Sequence, residues 1–106
     1  MNDQVWVRMK GEFGKGRLSV FREDVGLTRR GRLDDEWDQE FGRRELRPKE
    51  QGKVELKLWR YADDDWMISL TYERDPLPAE EAAEIRQSIL DAAVRAGLTV
   101  TAQSSA

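Results

Sequence analysis

Val54-Glu55-Leu56-Lys57-Leu58-Trp59-Arg60-Tyr61-Ala62-Asp63-Asp64-Asp65-Trp66-Met67-Ile68-Ser69-Leu70-Thr71-Tyr72, residues 54–72, carries the clearest structural signal in this chain. Val54, Leu56 and Leu58 alternate with Glu55, Lys57 and Trp59, and Trp66, Ile68, Leu70 and Tyr72 alternate with Met67, Ser69 and Thr71. A period of two means two strands, each with one apolar face. The aspartates between them suit a turn. Cross-strand partners must share a face, so the register follows from parity. A loop over 61–65 pairs Leu58 with Ile68, Leu56 with Leu70 and Val54 with Tyr72, and on the other face Trp59 with Met67 and Lys53 with Glu73. A loop of Asp63–Asp65 alone would set Glu55 against Glu73, a like-charge pair, and is disfavoured.

Working outward, residues 4–10 (QVWVRMK) also alternate, with Val5, Val7 and Met9 opposite Trp6, Arg8 and Lys10. Residues 17–23 (RLSVFRE) read as a second strand, with Gly11-Glu12-Phe13-Gly14-Lys15-Gly16 as the hairpin loop between them. The expected pairs are Val7–Val20, Met9–Leu18 and Trp6–Phe21. On the C-terminal side, residues 78–97 read as the main helix. Pro78 suits its first turn, Glu80, Glu81 and Glu84 suit its positive end, and Gly97 stops it. Its core stripe is Ala82, Ile85, Ile89, Ala93 and Ala96, widened by Leu90 and Val94. Leu98–Thr101 can add a short strand, and residues 102–106 are expected to fray.

Residues 24–52 form a charged insertion between the hairpins. Its one local pattern is Leu33–Gly42, expected as a two-turn helix capped by Asp34, with Leu33, Trp37 and Phe41 on one face. The expected fold is therefore α+β. It has a four-stranded, mainly antiparallel sheet of two hairpins, one C-terminal helix on one face and a charged insertion, in a single domain of residues 1–106.

Composition bears on function. The 106 residues include no cysteine and no histidine, with 37% charged residues and a net charge of −3. Thiol nucleophiles, cysteine-ligated zinc and disulfides are excluded, as are serine–histidine and cysteine–histidine catalysis within the chain. No apolar run approaches the ~20 residues of a membrane span, and Met1–Gln4 do not begin a secretory signal. The expectation is a soluble, cytoplasmic domain without cofactor or metal and without contact with membranes.

Four motifs invite a chemical reading. The glycine run lacks the Gly-Lys-Ser/Thr of a phosphate loop, and a strand is expected after it, so a hairpin turn is the simpler reading. Asp63–Asp65 lacks calcium-loop spacing and reads as a solvated turn. The carboxylates at 34, 35, 36, 38 and 40 lie where a helix dipole favours their ionised forms, against a role as general acid. Arg29, Arg30, Arg32, Arg43, Arg44, Arg47 and Lys49 could neutralise phosphates, with Trp59, Tyr61 and Phe21 stacking on bases, but seven carboxylates share that stretch.

The reverse face of the expected sheet, with Trp6, Phe21, Trp59 and Met67, is the feature that points to function. Either Leu33, Trp37 and Phe41 fold back over it, or it meets a partner, since aromatics and arginines are enriched at interface hot spots. The expected function is a non-enzymatic protein-interaction module of the inhibitor, immunity-type or assembly-adaptor class. It acts on a protein partner or a second copy of itself through Trp37, Phe41, Arg43, Arg44, Arg30, Trp59 and Tyr61. The alternative is a nucleic-acid-binding module built on the basic residues of 29–47.

Overall fold

The structure is a computed structural model of the chain, and it describes residues 2–14 and 16–104. Strands β1 (Asn2–Lys10), β2 (Thr28–Arg29), β3 (Glu40–Arg47), β4 (Val54–Ala62), β5 (Asp65–Tyr72) and β6 (Thr99–Gln103) form one antiparallel sheet in the order β2-β3-β4-β5-β1-β6. Helices α1 (Arg17–Val25) and α2 (Ala79–Arg95) complete the fold.

The β4–β5 hairpin has the register that parity demands. Val54 faces Tyr72, Leu56 faces Leu70, Leu58 faces Ile68 and Trp59 faces Met67. The Glu73 N–H donates to the Lys53 carbonyl at 2.9 Å, so the expected fifth pair follows too. The loop is shorter than expected, because Ala62 pairs with Asp65 and an irregularity between Arg60 and Ala62 absorbs Tyr61.

The expected first hairpin does not exist. Residues 17–25 are α1, and the reason lies in a spacing that extends beyond residues 17–23. Leu18, Phe21, Arg22 and Val25 are buried, three and four residues apart, while Val20 is half exposed. Gly26, left-handed at φ 73°, ends the helix, and the N–H of Leu27 returns to the Arg22 carbonyl at 2.8 Å. With 17–23 removed from the sheet, β1 pairs instead with β5. Val7 faces Ile68, Met9 faces Trp66 and Trp6 faces Ser69.

A four-stranded sheet is likewise corrected to six strands. The two-turn helix expected over Leu33–Gly42 does not form: residues 33–34 and 36–37 are turns, and 40–47 form β3, which lies along the free edge of β4. A two-turn helix is marginal by itself, whereas β3 satisfies the whole row of unpaired backbone groups on β4. An irregularity between Glu40 and Gly42 turns both Phe41 and Gly42 toward the helices. There Phe41 meets Trp66 edge-on at 5.1 Å, and a Cβ on Gly42 would lie 2.9 Å from Leu27. At the opposite edge β6 pairs with β1, so Ala102 and Gln103 belong to the sheet rather than to a frayed tail. The Ser104 N–H donates to the Trp6 carbonyl at 2.9 Å, and residues 105–106 lie outside the described part.

The expected C-terminal helix forms over Ala79–Arg95 rather than 78–97, with Glu80 and Glu81 in its first turn and Gly97 (φ 76°) past its end, and a strand follows it. Ala82, Ile89, Ala93 and Ala96 are buried, but Val94 is exposed and Ala92 takes its place. Both helices pack on the sheet face made by Val5, Val7, Met9, Val54, Leu56, Leu58, Trp66, Ile68 and Leu70. Burying each of these large side chains stabilises the fold by ~2–3 kcal/mol. Phe13 closes the aromatic end of this core, edge-on to Phe21 at 5.4 Å and to Trp66 at 4.8 Å. Arg95 pairs with Asp24 at 3.0 Å and ties the helices together at their exposed ends.

Candidate functional site

Two helices on one side leave the other side of the sheet uncovered by any described element. Alternation along each strand fixes what stands there. Trp6, Arg8 and Lys10 come from β1, Met67, Ser69 and Thr71 from β5, Glu55, Lys57 and Trp59 from β4 with Lys53 just before it, and Arg43 and Glu45 from β3. Register then brings these into rows. Trp59, Met67 and Arg8 lie side by side across β4, β5 and β1, and Arg43, Lys57, Ser69 and Trp6 form the next row. Trp6, Trp59 and Met67 are each partly exposed, and Tyr61 at the hairpin end is more than half exposed.

Cations lie against these aromatics. The Arg8 guanidinium stands 4.6 Å from the centre of the Tyr61 ring, and the Lys57 ammonium 5.4 Å from the Trp59 ring. Arg8 also makes a two-pronged bond to Asp65, with Nε donating at 2.9 Å and Nη2 at 2.7 Å. That bond holds the Asp65 carboxyl below its usual pKa and raises the pKa of Arg8. Asp65 is therefore an ion-pair partner, which accounts for one carboxylate of the Asp63–Asp65 run.

Glu55 anchors the middle of the face. Although no element covers it, its side chain is only 2% exposed, because Lys57 (3.0 Å), Lys53 (3.3 Å) and Arg43 (3.9 Å) close over it. Burial pushes its pKa up, but the hydrogen bonds and charges of Lys57 and Lys53 outweigh that and the net shift is downward. On this face the cations Arg8, Lys10, Arg43, Lys53 and Lys57 are interspersed with carboxylates such as Asp3, Glu40, Glu45, Glu55 and Asp65, so the face has no single-signed field.

The 30–39 loop, which leads into β3, is held from the helix side of the sheet. Two buried arginines hold it. Arg60 donates to the carbonyls of Leu33, Asp35 and Asp38 and stacks on Phe41 at 4.5 Å. Arg22 donates to the carbonyls of Phe41 (2.6 Å) and Arg30 (2.7 Å). The loop thereby displays Trp37, 85% exposed, on a fixed backbone.

The residues expected to bind a partner are thus divided. Trp59, Arg43 and Tyr61 lie on the open face, with Arg43 held by Glu40 at 2.8 Å. Trp37 and Arg30 lie on the 30–39 loop. Arg44 points to the opposite side, where its Nη1 donates to the Val25 carbonyl at 3.4 Å, and Phe41 is fully buried and presents no surface. Leu33, Trp37 and Phe41 do not fold back over the open face. The arginines of 29–47 do not gather either, since Arg43 and Arg44 face opposite ways, Arg47 bonds the Asp75 carbonyl and Arg32 pairs with Asp34. Trp6 and Met67, expected on this face though not among the partner-binding residues, stand there, and Arg8 and Lys57 complete it. The signal that finds them is the alternation of residues 4–10 combined with the correct strand order. Comparison with protein-family models, with curated proteins and with solved structures finds no match for this chain.

Proposed function

We propose that the chain is a non-enzymatic protein-interaction module, of the inhibitor, immunity-type or assembly-adaptor class, that docks through the open face of its sheet. The observation that carries this reading is the placement of both helices on one side, which leaves Trp6, Trp59, Met67 and Tyr61 on the other. Aromatics and arginines in one patch are the side chains that dominate protein interfaces. The mixed charges suit selection of one partner by complementary pairing, more than attraction to a polyanion. Trp37, exposed on the 30–39 loop, offers a separate apolar anchor. A cysteine-free chain suits the reducing cytoplasm, where we place it.

The test is replacement of Trp59 and Trp6 by alanine. Partner capture or self-association is lost while circular dichroism keeps the native signature. Retained capture contradicts the proposal, and binding to nucleic acid that weakens steeply with salt favours a polyanion partner instead.

A further inference from the structure

The two edges of the sheet differ in kind. At one, β2 covers only Gly42 and Arg43 of β3, and the two strands carry Arg29, Arg43, Arg44, Glu45 and Arg47. Charge of this sort keeps a sheet edge from pairing with another chain. The other edge lacks it. Strand β6 reads Thr99-Val100-Thr101-Ala102-Gln103, and residues 96–106 contain no charged residue in a chain that is 37% charged. Among the described residues, nothing pairs with the outer side of β6. The Ser104 N–H donates inward to the Trp6 carbonyl, so by alternation the Gln103 N–H points outward.

A second observation lies on the helix beside that edge. Helix α2 packs over β1 and β6. Arg86 marks the flank turned toward β6, since its Nη2 donates to the Ser104 hydroxyl at 3.1 Å. Leu90 and Val94 continue this flank, one and two turns further along, and turn progressively outward. Leu90 is partly buried, and Val94 is 76% exposed, more than any other leucine or valine among the described residues. Periodicity alone places both in the core stripe. The fold instead leaves them alongside a neutral, unpaired strand.

We propose that β6 pairs antiparallel with β6 of a second copy of this chain, about a two-fold axis normal to the sheet. Two-fold pairing sets a segment against itself, so charges of one sign would meet, and β6 has none. The helices fit as well. With neighbouring strands ~4.8 Å apart, the axis stands ~5 Å from a helix seated over β1 and β6. The two copies of α2 then meet at ~10 Å, an ordinary distance for packed helices, with Leu90 and Val94 of each between them. The strand is short and carries an irregularity at Thr101, between Val100 opposite Met9 and Ala102 opposite Arg8. The contact is therefore small, and the dimer is weak and concentration-dependent. This edge is separate from the open face, and the inference does not rest on what that face meets.

The experiment is sedimentation velocity from micromolar to near-millimolar concentration, with circular dichroism on every variant. The unmodified chain should pass from monomer to dimer as concentration rises, with little effect of salt because the edge is uncharged. Gln103→Pro removes an outward N–H and leaves the ladder to β1 intact, and it weakens association about tenfold or more. Val94→Lys does the same from an exposed helix position, by setting two ammonium groups near the axis, so the test does not depend on the strand tolerating proline. Self-association through the open face would vanish in Trp6→Ala/Trp59→Ala, whereas the edge dimer persists there. A chain that stays monomeric throughout overturns the proposal and leaves the edge to an extended segment of another protein. A dimer undiminished by Val94→Lys or by a natively folded Gln103→Pro also overturns it, as does one lost in Trp6→Ala/Trp59→Ala.

Discussion

Arg60, two residues before the end of β4, has its guanidinium enclosed by three loop carbonyls and the Phe41 ring, and this one side chain does for the 30–39 loop what an apolar core does elsewhere. Removing it leaves buried acceptors without a donor. Arg60→Ala is therefore expected to destabilise the fold by about 2–3 kcal/mol in denaturant melts. Amide exchange across residues 34–38 should rise with it. Glu55 is the other residue on which a surface depends. Its folded pKa and that of Asp65 are depressed, so at low pH the unfolded chain binds more protons than the folded one. The stability these carboxylates contribute is present above the ordinary carboxylate pKa of about 4 and is lost as pH falls through their lower folded values. Thermal melts from pH 7 down to about 2 should show that acid limb, shallower in Glu55→Gln. Neither Arg60 nor Arg22 is legible as a loop anchor in the sequence. Their partners are backbone carbonyls, which every residue carries, so no spacing or residue type announces the contact.

At the scale of elements, legibility follows how long a single period runs. The β4–β5 pair repeats an apolar residue at every second position across both strands, and the long helix repeats its stripe over four turns, so each has one reading. Residues 17–25 offer Leu18, Val20 and Phe21, which fit both a strand and a helix, and only Val25 and Gly26 decide between them. The distinction is testable on side chains. Val20→Glu should change stability by less than about 0.5 kcal/mol, since Val20 lies outside the core. Leu18→Ala should cost about 2–4 kcal/mol. A hairpin would make both costly. β3 was illegible for another reason. Of its eight residues only Phe41 and Gly42 are buried, one of them has no side chain, and the irregularity that puts both on the same side erases the alternation. Its place is set by the unpaired edge of β4, which is a property of the sheet and not of residues 40–47.

For the whole molecule, strand order decides what is exposed. The candidate surface was half legible: Trp59 and Met67 were placed on the reverse face from parity alone, and Trp6 likewise. Phe21, expected beside them, lies in the core because its segment is helical, and the insertion expected to cover the face instead widens the sheet at its edge. What remains is an aromatic face of mixed charge with cations already laid over Tyr61 and Trp59, and a separate loop that presents Trp37. Such a face should lose partner binding when its anchors are truncated, with little change in fold, since Trp59 and Trp6 are only partly buried. The most direct measurement compares wild type with Trp6→Ala/Trp59→Ala in parallel capture from the native cell lysate, with circular dichroism and thermal melts on both. Proteins retained by the wild type and lost by a variant with native circular dichroism are the predicted result. The same proteins retained by both would contradict the open face as the docking surface.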